Sequence, residues 1–259
     1  MFIRTVAAAL LVTTPALAAD DTASSMGRAP TTWSGLYGGV TAGALKSDGE
    51  ASLGDYEGDL ITLDVSNGLF PDSIDGSDTS LIGGVTIGYN HQINDAWVAG
   101  VELDLSFGNS DIEHGFARVD PNPDPIFNGV NTVTGYRTEL DGLATARVRL
   151  GYSFGDTLAY ATGGIAAGRV TNSFSLEMTE LGYTSPDWNT SGTRFGYVLG
   201  AGVEHRMTEA VSIKAEILSY DLKDATVHAT DPTNFPGQAI DYEFDNAGVI
   251  GRIGLNFRF

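Results

Sequence analysis

The chain has 259 residues, a formal charge of -19 and a pI near 4.3. This balance excludes nucleic-acid binding, because a phosphate backbone demands a cationic surface. Only 18% of the residues are charged and 33 are glycine, which excludes a long acidic disordered tail and points to a folded, glycine-rich chain without cysteine.

Residues 1–18 read as a signal peptide. Arg4 supplies a thin positive region, Val6 to Val12 a short apolar run, and Ala16-Leu17-Ala18 a small-x-small cleavage site. The run is too short to span a membrane, and Pro15 interrupts it. Residues 19–32, rich in Asp, Ser, Thr, Ala and Pro, read as a flexible lead-in, which leaves 33–259 as one domain.

The first strand is predicted from Ser34 to Leu45, where glycines obscure the two faces. A long loop follows from 46 to 80, with nine acidic and no basic residues between Ser47 and Asp78. The second strand, Ser80 to Asn90, places Leu81, Val85, Ile87 and Tyr89 on one face. After a tight connection at His91 to Asp95, the third strand begins at Ala96. Its uncharged face is Trp97, Ala99, Val101, Leu103, Leu105 and Phe107, and Glu102 and Asp104 lie opposite. A second long loop, Gly108 to Arg137, contains three spaced prolines that a central strand would not hold.

The fourth strand runs from about Thr138 to Tyr152. Leu140, Gly142, Ala144, Ala146, Val148, Leu150 and Tyr152 form its apolar face, and Glu139, Asp141, Thr145, Arg147 and Arg149 face the other way. A short turn at Ser153 to Thr157 leads into a fifth strand, Leu158 to Thr171, whose small residues leave its faces ambiguous. A third loop covers Asn172 to Gly192. The sixth strand, Thr193 to Arg206, sets Phe195, Tyr197, Leu199 and Val203 against Arg194, Glu204 and Arg206. Past the turn at Met207 to Ala210, the seventh strand, Val211 to Asp221, opposes Val211, Ile213, Ala215 and Ile217 to Lys214, Glu216 and Tyr220. A fourth loop, Leu222 to Glu243, precedes the closing strand. There Val249, Ile253, Leu255, Phe257 and Phe259 alternate with Arg252 and Arg258.

A period of two over eight segments means strands. Their connections alternate long and short. In an antiparallel array this puts every long acidic loop at one end and every tight turn at the other. That is the form of a transmembrane β-barrel with short periplasmic turns and long external loops. The predicted fold is therefore an all-β, eight-stranded antiparallel up-and-down barrel in the bacterial outer membrane. Glu102, Asp104, Arg147, Arg149, Glu204, Arg206, Lys214, Glu216 and Arg252 share the inward parity, and are expected to pair as a charge network in the lumen. A water-soluble barrel turned the other way is the competing reading. Tyr89, Trp97, Tyr152 and Tyr160 lie near short turns, where an aromatic girdle would sit.

WSGLYGGVTAG at Trp33 to Gly43, LIGGVTIGYN at Leu81 to Asn90, YATGGIAAG at Tyr160 to Gly168 and the terminal GRIGLNFRF together resemble a known group. It is the small porin-like outer-membrane surface proteins of alphaproteobacteria, within the OmpA/Opa-type eight-stranded barrel superfamily. The resemblance implies that Phe259 is part of the signal read by the barrel-assembly machinery. These motifs specify a barrel wall rather than an activity, and the 47–78 segment is longer than simple members carry.

No catalytic chemistry is expected. The glycine pairs lack the strand-then-helix context of phosphate loops. His91, His114, His205 and His228 follow no metal spacing. His205 and Ser212 take opposite parities, so no triad assembles. Asp72, Asp75 and Asp78, and Asp55, Glu57 and Asp59, do not match a calcium-loop pattern, and diffuse association of divalent cations with the acidic loops is the expectation. No cofactor or resident metal is called for. The expected partners are outer-membrane lipid and the assembly machinery, not nucleic acid. The functional expectation is a structural, surface-exposed barrel with a closed or nearly closed lumen and loop-mediated contacts. The alternatives are a narrow porin-like diffusion channel and a lipid-modifying enzyme.

Overall fold

The computed structural model describes residues 32–259. The signal-peptide and almost all of the lead-in assignments fall outside the described residues. Among the described residues nine strands form: β1 (Gly35–Glu57), β2 (Ser73–Gln92), β3 (Trp97–Val119), β4 (Asn131–Phe154), β5 (Thr157–Met178), the two-residue β6 (Tyr183–Thr184), β7 (Trp188–Arg206), β8 (Val211–Thr230) and β9 (Ala239–Arg258). All pairings are antiparallel. The order β4-β3-β2-β1-β9-β8-β7-β5 closes through β4–β5 into a ring of eight, and β6 is an appendage of β5.

The long strands contain 19 to 24 residues each, about twice the 9–11 that a tilted spanning strand needs. The segments read as long loops are therefore largely strand. The connections at that end shrink to residues 58–72, 120–130, 179–187 and 231–238. Alternation does not stop where the outward apolar residues stop. It continues with its polarity exchanged, and a polar outer face resembles a loop when read without its partner. In β9 the outward residues change from Ile253, Leu255 and Phe257 to Asp241, Glu243 and Asp245, while the inward ones change from Arg252 and Asn256 to Ile240, Tyr242 and Phe244. The wall thus has two zones: a lower belt, apolar outside, and an upper crown, apolar inside.

Two assignments need correction. In β4 a bulge between Leu140 and Gly142 shifts register against β5 and reverses parity. Leu140 is consequently buried inside, and Glu139 and Asp141 point outward. Tyr160 is no girdle residue: it is buried in the interior.

At the lower end the turns are tight. Residues 155–156 join β4 to β5, and Gly155 supplies the left-handed φ of 69° that this turn needs. Gly164, inside the wall, has no room for a side chain. A Cβ there would sit 2.0 Å from the Ala146 carbonyl oxygen, so glycine lets β4 and β5 approach.

The crown is not a complete cylinder. Pairing of β7 with β8 stops at Gly196↔Leu222, and that of β2 with β3 at Gly83↔Phe107. Above these points β2-β1-β9-β8 and β3-β4-β5-β7 face each other as two sheets. Between them lie Tyr136, Phe174, Leu176, Val227, Tyr242 and Phe244. Tyr242 packs on Tyr136 at 4.8 Å and on Phe174 at 5.0 Å between centroids, and Phe174 stacks on Trp188 at 5.6 Å. Helix α1 (Asp59–Ser66) lies in the first connection, and the chain leaving it buries Leu69 and Phe70 in the same core.

Candidate functional site

The interior is layered, and its layers follow residue order along each strand. Nearest the turns, Trp33, Val98, Leu158 and Tyr160 form an apolar cluster. The Trp33 indole donates to Ser153 Oγ at 2.9 Å and lies under the Arg206 guanidinium at 4.4 Å.

Next come the charges. Glu102 on β3 is ion-paired with Arg147 on β4, its register partner, and with Lys214 at 3.1 Å from β8 across the ring. Tyr37 on β1 donates to Glu102 Oε2 at 2.7 Å. Arg147 also reaches Glu216 at 3.0 Å. Arg252 on β9 holds Glu216 at 2.7 Å and Asp104 at 2.8 Å, again joining β8 and β9 to β3. Arg149 pairs with Glu204 at 2.8 Å and lies 4.2 Å from the Tyr160 ring centroid. Four carboxylates (Glu102, Asp104, Glu204, Glu216) thus meet four cations (Arg147, Arg149, Lys214, Arg252), and the set is formally neutral. All eight are buried, Lys214 to 1% exposure. A belt with small or apolar outward residues could not carry these charges on its outer face, where a basic residue at mid-depth costs about 2–4 kcal/mol. Arg206 lies nearer the turns, where it donates to the Thr32 carbonyl at 2.8 Å.

Above the charges a second apolar layer crosses the interior: Leu45, Ile82, Leu140, Val170, Leu218, Tyr220 and Ile250 among others. Two interior voids, beside Tyr220 and beside Tyr136, hold only about 10 and 20 Å³, on the order of one water each. The roomier concavities, about 710 and 470 Å³, are lined chiefly by outward belt residues such as Val101, Val148, Leu103 and Ile165.

The crown carries its own polar anchor. Asp64 of α1 is buried and accepts from Asn122 Nδ2 at 3.2 Å. Burial, and then the nearby Asp120 carboxylate, push its pKa up to about 7. The residues singled out for calcium do not converge. Asp75 and Asp78 occupy opposite faces of β2, and among the described residues no group of three His, Asp or Glu side chains is arranged to hold a metal ion. His205 bonds Thr157 Oγ1 on the outer face, and Ser212 donates to Glu204 inside. Phe259, the expected assembly signal, is exposed, and its backbone N–H donates to the Leu36 carbonyl at 3.0 Å.

Tyr37, Tyr160 and Trp33 were not expected at this centre. In β1 and β5 glycine and alanine hide the alternation, so their faces are not readable. The cue lies in the neighbouring strands, where charges on one parity demand hydroxyl and aromatic partners.

Residues 5–259 match the family described as outer membrane protein beta-barrel domain. The chain belongs to this family. It is a β-barrel protein of the bacterial outer membrane. It is 28% identical over 260 residues to the 31 kDa outer-membrane immunogenic protein of Brucella melitensis, covering 97% of this chain and 96% of the relative. It is 28% identical over 194 residues to the 22 kDa outer membrane protein of Rhizobium leguminosarum bv. viciae, covering 74% of this chain and 66% of that one. Among solved structures, OprG of Pseudomonas aeruginosa aligns with a TM-score of 0.47 and 12% identity, over 87% of this chain and 96% of that chain. In this outer-membrane barrel the outward belt is the lipid-facing zone. No helix among the described residues is long and apolar enough to cross a membrane, and the crossing is made by strands.

Proposed function

We propose that the protein is a non-enzymatic, surface-exposed structural barrel with a closed interior, whose crown makes the contacts. The observation that carries the closed interior is the neutral set of eight buried charges held between two apolar layers. An eight-stranded barrel has an interior just wide enough for side chains to fill. Cross-ring pairs such as Lys214–Glu102 and Arg252–Asp104 fill the middle of it. Such a layer binds its own counter-charges and leaves none to select a permeant ion. Planar-bilayer recording of the purified protein should give no steady single-channel steps. Large steady steps would replace this reading with a narrow diffusion channel.

The belt meets outer-membrane lipid, and Phe259 is presented to the assembly machinery. The crown is acidic on its outer face, which favours basic partners or partners bridged by divalent cations. Charge reversal across residues 47–78 should weaken surface association; unchanged association would remove the loop from the account. The absence of mass change in outer-membrane lipid on overexpression is the outcome expected of a barrel without lipid-modifying activity.

A further inference from the structure

The two places where the crown is split differ in how they are sealed. At the β2–β3 seam the Asp78 carboxylate accepts from Ser110 Oγ at 3.2 Å and from the Asp111 N–H at 3.3 Å. The His114 ring fills the same gap: a Cβ on Gly76 would lie 2.2 Å from its Nε2. Side chains therefore replace the missing ladder.

The β7–β8 seam is stitched only at its mouth, where the Trp188 indole donates to the Thr230 carbonyl at 2.9 Å and the Tyr183 hydroxyl donates to Asp231 at 3.0 Å. Between that stitch and Gly196, residues 189–195 of β7 have ladder partners only on β5. Where β7–β8 pairing ends, β8 carries a bulge at Lys223 and Asp224 against β9, and a Cβ on Gly192 would meet nothing within 4 Å. Inward residues of β7 in this stretch are only half-buried, whereas those of β5 beside them are buried. Asn189 to Phe195 contain neither proline nor lysine, and Arg194 is the one charge along this edge. A bare edge offers backbone donors and acceptors at strand spacing, which is what an incoming extended chain pairs with.

Charge selects the kind of chain. Around the seam, the outer faces of β8 and β9 carry Asp221, Asp224, Glu243 and Asp245 against Lys223, with His228 paired to Asp241, while β5 sets Arg169, paired to Asp141 at 3.8 Å, beside Thr193 on the far side of β7; acidic groups outnumber basic ones. On the inner side Arg194, whose guanidinium bonds Thr190 Oγ1 at 3.4 Å, would repel a basic side chain. We propose that the β7 edge at Asn189–Phe195 takes up an extended strand from a partner protein, with basic side chains outward and small neutral ones inward. This rests on the crown being the contact surface and is independent of whether the interior is closed.

The test uses the full chain refolded in detergent micelles and three eight-residue peptides. They are alternating Lys-Thr, alternating Glu-Thr, and the Lys-Thr peptide N-methylated at every second residue. The Lys-Thr peptide should bind at least tenfold more tightly than either control, and should slow amide exchange within 189–195 at least tenfold. Equal binding by the N-methylated peptide would overturn strand addition. So would protection confined to other parts of the crown, although acidic contact surfaces would then still stand. No binding up to millimolar peptide would overturn the proposal as well, while leaving the conductance result unaffected.

Discussion

The belt and the crown are built from the same eight strands and the same pleat, yet they are inside-out relative to each other. Within β9, Ile253 and Leu255 face out where Arg252 faces in, and nearer the start of the strand Tyr242 faces in where Asp241 and Glu243 face out. A strand supplies only alternation. Which set is apolar depends on the medium beyond the wall. Lipid outside forces the charges inward, where they must pair; water outside lets an ordinary hydrophobic core form between two sheets.

The largest effect should come from breaking the belt's interior pairing. Glu102→Ala leaves Arg147 and Lys214 without their shared carboxylate, and unpairing a buried ion pair costs about 3–5 kcal/mol. Urea unfolding of the reconstituted protein, followed by heat-modified gel mobility, reads this directly. An unchanged midpoint would mean that water reaches these charges.

Placing a cation on each zone's outer face comes next. Leu255→Arg, on the lipid face, should destabilise by about 2–4 kcal/mol if it lies near mid-depth. Glu243→Lys, on the same parity of the same strand but in the crown, should stay within about 0.5 kcal/mol. Similar costs for the two would erase the distinction between zones.

The third prediction concerns the crown alone. Asp64 has a folded pKa raised to about 7, above the roughly 3.9 of a free aspartate. The α1 docking it supports is therefore intact below about pH 4 and is lost progressively as pH rises through about 7. Amide exchange in residues 59–70, corrected for intrinsic rates, should accelerate between pH 5 and 8, with the belt unaffected. Asp64→Asn should abolish that dependence, and a pH response that survives it would assign the effect to another group.

The smallest effect belongs to the exposed Arg137–Asp111 pair on the outer wall. Arg137→Ala should leave the urea midpoint essentially unchanged despite its 2.5 Å contact, because exposed ion pairs are screened by solvent. A measurable loss would show that the wall there is shielded from water.

Much of the belt was legible because large apolar residues in the second, third, sixth, seventh and closing strands keep to one parity despite the glycines among them, and because connection lengths alternate. The crown was not. Its strands carry acidic residues outward and widely spaced aromatics inward, so Phe174 and Tyr242 sit in segments that read as polar loop. The bulge at Asp141 was equally hidden, since one extra residue leaves composition unchanged while exchanging the faces of everything beyond it.

Order along the chain determined the ring, its two unlike ends and the polarity of the lipid-facing wall, since each follows from local periodicity and spacing. Only the folded chain decided how far the strands run past the membrane, which carboxylate meets which cation across the ring, and where the ladder breaks between β7 and β8. These depend on contacts between residues far apart in the chain, such as Arg252 and Asp104 at a separation of 148 positions, and no local window contains both partners.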